Sequence, residues 1–350
     1  MKLTGLYRAV FVGLIALSSG VVVAQETPSG WCTSVWYPSS TEPDGLDSIR
    51  AHVDAIDIVH PFWYSPLPDG GLQRHDGAED PDILALLREA NILVIPSIFA
   101  SVPTMLASDE AMMTHIEVIT SLVELMDYDG IDIDYEGFPA SNRDAFSLFI
   151  ERLADALHAN GRLITIALHA KTDDQGTWEG PRGQDWSRIL PVVDIANLMT
   201  YDYTSRNQPP GPIAPSQWMA DVVGYASQFT SLDKIRLGMP FYGYSWMRGS
   251  PPATTISYRS VMRWVDSFNL DTSNRHQQSH ELLIELRVTG LPRQNIVLND
   301  AASVADKLET VMSAYAGLGG VAIWGIGGED PSTWDILSRY HTGMCALRDR

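Results

Sequence analysis

Cysteine is nearly missing: Cys32 and Cys345 are the only two in 350 residues. Two thiols cannot frame a disulfide scaffold, and a metal site needs more ligands than they supply. Positive charge is also scarce, with 24 Lys and Arg against 43 Asp and Glu and a formal charge of −19. A nucleic-acid partner needs a basic face, so that class is set aside, and a neutral substrate suits this balance better than a polyanion. No Gly-rich phosphate loop follows the first candidate strand, and no EF-hand spacing, internal repeat, low-complexity linker or appended binding module occurs. Long apolar runs are missing except near the N-terminus. There Lys2 and Arg8 precede "AVFVGLIAL", and "VVVAQE" offers small residues for a cut after Ala24. This is the pattern of an export signal over 1–24, and a secreted or periplasmic protein is expected. The run is short for a membrane span, so no stable membrane insertion is expected after cleavage, an uncleaved anchor being the alternative.

Against these absences stands a regular alternation. Apolar, β-rich runs recur as "WCTSVWYP", "AIDIVHPFWY", "NILVIPSIFA", "YDGIDIDYEGF", "RLITIALHA", "VDIANLMTYDY", "KIRLGMPFYGYSW" and "GGVAIWGIGG". Between them lie helix-like stretches such as "DPDILALLREA", "DEAMMTHIEVITSLVELM" and "SNRDAFSLFIERLADALHANG". The last opens on Ser141 and Asp144 in a capping-box-like pattern and stops at Gly161. Strand–helix units repeated in this way predict an α/β fold, a (β/α)8 TIM barrel over 25–350. A doubly wound open sheet is the alternative, disfavoured by the missing phosphate loop. The stretch from about 247 to 298 is too long for a simple crossover. It is expected as a small insertion between strands 7 and 8, forming one wall of a cleft. In a closed barrel the first strand and last helix are neighbours, so Cys32 and Cys345 are a candidate disulfide, two unpaired thiols being the alternative.

One short run carries chemistry. In "YDGIDIDYEGF" acids alternate with Ile131, Ile133 and Tyr135, residue types that favour a strand. A strand has a side-chain period of two, so Asp132, Asp134 and Glu136 share one face, about 6.5–7 Å apart. Carboxylates so placed raise one another's pKa when partly buried, which a purely structural role would not tolerate. Asp129 is expected to serve the turn into the strand. In a barrel the site lies at the C-terminal strand ends. There the sixth strand offers Tyr201, Asp202 and Tyr203, the second Phe62, Trp63 and Tyr64, the seventh Tyr242, Tyr244 and Trp246, and the eighth Trp324. Acids among aromatic rings suit a sugar, although any single ring could equally be core.

"DGIDIDYEGF" resembles the D-G-x-D-x-D-x-E signature of glycoside hydrolase family 18, and "NLMTYDY" its sixth-strand M-x-Y-D motif. "GMPFYGYSW" and "GGVAIWGIGGED" resemble its seventh and eighth strands, in the right order. The likeness runs over essentially the whole chain after the leader and is nearest the bacterial spore-germination and cell-wall branch. It implies a retaining, chitinase-like glycosidase acting on β-1,4-linked N-acetylglucosamine, in chitin, chito-oligosaccharides or peptidoglycan, with no cofactor and no metal. In that scheme Glu136 is the general acid, and the substrate's own acetamido oxygen replaces a protein nucleophile. Asp134 orients the acetamide N–H, Asp132 shares a proton with Asp134, Tyr201 donates to the acetamide oxygen and Asp202 shapes the acid's titration. Trp324 forms the floor under the reacting sugar, and Met199, Tyr242, Trp63 and Trp246 are further expected contacts. The family's Ser-x-Gly-Gly third-strand end reads "PSIFAS" here, keeping Ser97 alone, and Tyr135 is expected to pack outward. The competing readings are a hard-cation site on the acids and an inactive, lectin-like sugar-binding barrel.

Overall fold

The computed structural model describes residues 30–38, 44–101, 103–341, 345 and 347, so the expected leader over 1–24 lies outside the described residues. Strands β1 (Cys32–Tyr37), β2 (Ile58–Pro66), β3 (Ser97–Ala100) and β4 (Gly130–Tyr135) are followed by β5 (Leu163–His169), β6 (Ile195–Met199), β7 (Ile235–Pro240) and β8 (Gly320–Trp324). Each pairs in parallel with the next, and β8 pairs with β1, so the sheet closes on itself. This is the (β/α)8 barrel that the alternation predicts.

Closure needs close backbone approach at β1 and β8. A Cβ on Gly320 would sit 1.8 Å from the Cys32 carbonyl oxygen, at a φ of +143°, so only glycine fits there. The third strand is interrupted. Leu93–Val94 pairs with β2, Pro96 then offers no N–H to the ladder, and pairing resumes at Ser97 with a register shift between Phe62 and Tyr64.

Helices cover the barrel wherever the sequence has a periodic apolar face. Helix Pro81–Glu89 is capped by the Asp80 side chain, and Asp109–Met126 by Ser108. Helix Arg143–His158 buries Phe146, Phe149, Ile150 and Leu153, each worth about 1.5–3 kcal/mol when fully removed from water. The capping box expected at Ser141 and Asp144 does not form. A short 3-10 turn, Ala140–Asn142, leads into the helix, and no side chain caps it.

The seventh candidate strand divides in two. β7 ends at Pro240, and Gly243–Met247 joins a separate antiparallel sheet in the order Thr254–Ile256, Gly243–Met247, Gln294–Leu298, Leu282–Leu286. Helix Tyr258–Phe268 packs on it through Val261. The insertion therefore starts at Gly243, ahead of the expected boundary near 247. At the other end of the barrel Cys32 and Cys345 form a disulfide with Cα atoms 4.8 Å apart, tying β1 to the C-terminal tail.

Candidate active site

The β4 alternation sorts two kinds of side chain. Ile131, Ile133 and Tyr135 are fully buried between barrel and helices, and the Tyr135 hydroxyl meets His115 Nε2 at 2.6 Å. Asp132 and Asp134 point into the barrel, and Glu136 follows at the strand end. Asp129 accepts the Val94 N–H at 2.7 Å, a turn-fixing bond made below the site.

Asp132 lies deepest. Four donors converge on it: Trp36 Nε1 at 3.0 Å, Ser97 Oγ at 2.7 Å, Thr165 Oγ1 at 2.6 Å and Asn197 Nδ2 at 3.4 Å. Ser97, kept in "PSIFAS", thus serves the buried acid. Asp134 is hydrogen-bonded to Glu136. The oxygens of Asp132 accept from side chains of β1, β3, β5 and β6, and its charge also bears on Asp134. Asp134 Oδ1 is buried, and no N–H or O–H donor among the described residues reaches it.

The electrostatics follow from burial. Desolvation, then the charges of Glu136 and Asp132, push the Asp134 carboxyl well above the ordinary range. Glu136 is raised by desolvation and then by the Asp202 charge. Asp202, exposed at the cleft rim, is raised by partial desolvation of its carboxyl, opposed by the Tyr242 and Tyr244 hydroxyls that donate to its Oδ1 at 2.5 and 2.7 Å. Burial also keeps Tyr201 a neutral phenol.

These groups open onto a cleft of about 1300 Å³. Trp324 lines it, with its ring 5.4 Å from Phe62 and 6.3 Å from Trp36 between centroids. Met199, Tyr201 and Asp202 also reach the cleft. Three expected contacts do not. Trp63 is 2% exposed and packs outward on Tyr128, 6.2 Å away. Its neighbour Phe62 takes the inward position, as a period of two requires. Trp246 is fully buried and donates Nε1 to the Gln208 carbonyl at 2.8 Å. Tyr242 sits beneath Asp202 as a hydrogen-bond donor.

Several cleft residues escaped the sequence reading. Trp36 was detectable by parity, since Val35 and Tyr37 face the outer core. Lys171 and Trp178 come from the loop after β5, where no periodicity marks a facing side chain. The Lys171 ammonium is consumed by the Pro181 and Gln184 carbonyls, at 3.1 and 2.6 Å. His169, at the end of β5, stacks edge-on to Trp178, and burial pulls its imidazole down to about 4, leaving it neutral. The insertion supplies no lining side chain, which corrects its expected role as a cleft wall. Among the described residues no group of three or more His, Cys, Asp or Glu is placed to hold a metal ion, and no helix is long and apolar enough to cross a membrane.

A closed barrel with buried acids at its C-terminal strand ends, beneath an aromatic cleft, defines a carbohydrate-active hydrolase fold. The family model of glycosyl hydrolases family 18 matches residues 100–329, and the chain belongs to that family. YdhD of Bacillus subtilis (strain 168), a glycosylase by name, is 37% identical over 139 residues, covering 40% of this chain and 33% of that protein. The cortical fragment-lytic enzyme of the same organism is 28% identical over 216 residues, covering 59% of this chain and 48% of that one. The chain thus spans a third to a half of the length of these curated relatives. The solved structure of a chitinase from Chromobacterium violaceum ATCC 12472 superposes with a TM-score of 0.81 at 21% identity, over 89% of this chain and 99% of that one. At that identity the likeness is one of fold.

Proposed function

We propose that this chain is a retaining glycosidase that hydrolyses β-1,4-linked N-acetylglucosamine polymers by substrate-assisted catalysis. The observation that carries this reading is Asp134: a buried carboxyl at the cleft, paired with Glu136, whose Oδ1 is reached by no N–H or O–H donor among the described residues. An unpaired buried acceptor suits a donor on the ligand, and an acetamide N–H is such a donor. Its hydrogen bond favours the charged form of Asp134 and so moves the shared proton onto Glu136.

Glu136 then protonates the glycosidic oxygen as the bond to C1 breaks. The acetamide oxygen attacks C1 from the opposite face, giving an oxazolinium ion whose charge lies beside Asp134. The Tyr201 hydroxyl, kept protonated by burial, donates to the acetamide oxygen and orients it. A water, deprotonated by Glu136, opens the intermediate by a second inversion, so configuration is retained. Trp324 supplies a stacking face for the sugar. Chitin, chito-oligosaccharides and peptidoglycan strands all present this acetamide. An exported location is part of the proposal, supported by the leader-like N-terminus and by the Cys32–Cys345 bridge, a bond characteristic of oxidising compartments.

The test is mass spectrometry of products after incubation with chito-oligosaccharides and with peptidoglycan, using Glu136→Gln as the control. The native protein is expected to cut at least one, and the variant to lose about 10³-fold or more of that rate. If neither polymer is cut while both proteins bind them, the barrel is a lectin-like carbohydrate-binding protein and the enzyme reading is wrong.

A further inference from the structure

Segment 243–298 puts no side chain into the cleft, yet it grips the segment that does, 202–214. At one end Tyr244 donates to Asp202 Oδ1 at 2.7 Å. In the middle Trp246 Nε1 donates to the Gln208 carbonyl at 2.8 Å, and the Ala253 N–H to the Arg206 carbonyl at 2.7 Å. At the far end the Glu281 carboxylate accepts two successive backbone N–H groups, Ile213 at 2.9 Å and Ala214 at 2.8 Å. Glu281 is fully buried, with the Ser279 hydroxyl at 2.8 Å and the fully buried Lys307 ammonium at 3.5 Å.

The gripped segment also closes on itself, through Tyr203 N–H to the Ile213 carbonyl and Thr204 N–H to that of Pro212. It begins at Asp202, a non-glycine residue at a φ of +54°. Such a conformation persists only where the surroundings over-determine it. Here the insertion supplies part of those surroundings. Asp202 is faced by Tyr244 from the insertion, by Tyr242 just before it, by Glu136 from the end of β4 and by its own neighbour Tyr201, with Arg206 acting on Tyr244.

We propose that the insertion is a positioning clamp: Glu281, Trp246 and Tyr244 hold the 202–214 segment in place, and thereby hold Asp202 against Glu136. Its kinetic consequence rests on the glycosidase reading above; the mechanical half does not. Both Glu281 and Tyr244 are positioning residues in this scheme, acting on the acid through the loop and through Asp202.

Two variants separate the parts. Glu281→Gln sets an amide N–H₂ against one of the two backbone N–H groups, and pairing it with Lys307→Met removes the ammonium that would otherwise be left buried and unpaired. In the double variant, amide hydrogen exchange over 202–214 is expected to rise about tenfold or more, whether or not any glycan is cut. KM for the cut oligosaccharide is expected to rise several-fold at a temperature well below Tm. Tyr244→Phe removes only a hydroxyl. With one donor fewer, Asp202 protonates at higher pH, and because its charge bears on Glu136 the pH profile of kcat/KM should shift from that of the native protein.

Unchanged exchange over 202–214 in the double variant would overturn the clamp even if the protein is an active glycosidase. Faster exchange with an unmoved KM and an unmoved pH profile would overturn its link to the acid. If the native protein cuts nothing, the glycosidase reading fails, and the exchange measurement still decides the clamp.

Discussion

Asp134 and Glu136 stand two residues apart, Asp134 buried on β4 and Glu136 half-buried just past its end. For these groups, as for Asp202, the folded protein binds protons more tightly than the unfolded chain, where an aspartate titrates near 3.8. The sign follows: their contribution to stability is fullest at low pH and is lost as pH rises from about 4 through the raised folded values. Asp134→Asn removes one such group. We expect Tm measured across pH 4–8 to decline less steeply in this variant than in the native protein, while kcat/KM falls by about 10²–10³-fold. A steeper decline in the variant would mean that Asp134 is held as a stabilised anion, against the assignment made here. How near the acids lie to one another was legible in the sequence, because strand periodicity is local. Which carboxyl bonds which was not. Donors from β1, β3, β5 and β6 occupy Asp132, and those strands are brought to it only by barrel closure.

At the scale of the element, β2 shows how a one-residue difference redirects a side chain. "PFWY" places Trp63 in the outer core and Phe62 at the cleft, with Phe62 also 5.9 Å from Phe99 on β3. Two substitutions test this parity. Trp63→Ala should cost about 3–5 kcal/mol of stability through the cavity it leaves, with KM nearly unchanged. Phe62→Ala should raise KM about 3–10-fold with a smaller loss of Tm, since a half-exposed ring is removed from the sugar-facing wall. The reverse pattern in urea unfolding and kinetics would put Trp63 back at the site. The seventh strand offers a related lesson. "KIRLGMPFYGYSW" reads as one apolar run, but the barrel strand stops at Pro240 and the remainder pairs antiparallel in another sheet. Composition alone does not show where a chain changes partners.

For the whole molecule, the Cys32–Cys345 bridge joins residues 313 apart in sequence. Linking the first barrel strand to the tail restricts the unfolded chain, and removing such a bond typically costs about 2–4 kcal/mol. Replacing both cysteines with serine should therefore lower Tm by roughly 4–10 °C without changing the cleavage pattern. An unchanged Tm would mean that the tail contributes nothing to closing the barrel. Charge acts at this scale as well. The formal −19 suits a neutral polymer, and within the cleft the one lysine that lines it spends its ammonium on two backbone carbonyls and on Asp174.

The barrel, the acid-bearing strand and the facing of its residues were already legible along the chain, because these depend on periods of two and 3.6 written into short stretches. It also carried the family motifs at the ends of the strands. Tertiary structure alone decided that Trp246 and Tyr242 support the site from beneath, that Lys171 and Trp178 join it from a loop, and that the insertion grips the 202–214 segment while staying out of the cleft. Those outcomes depend on contacts between segments distant along the chain. Such contacts leave no local periodicity, and they exist only once the barrel has closed and the small sheet has docked beside it.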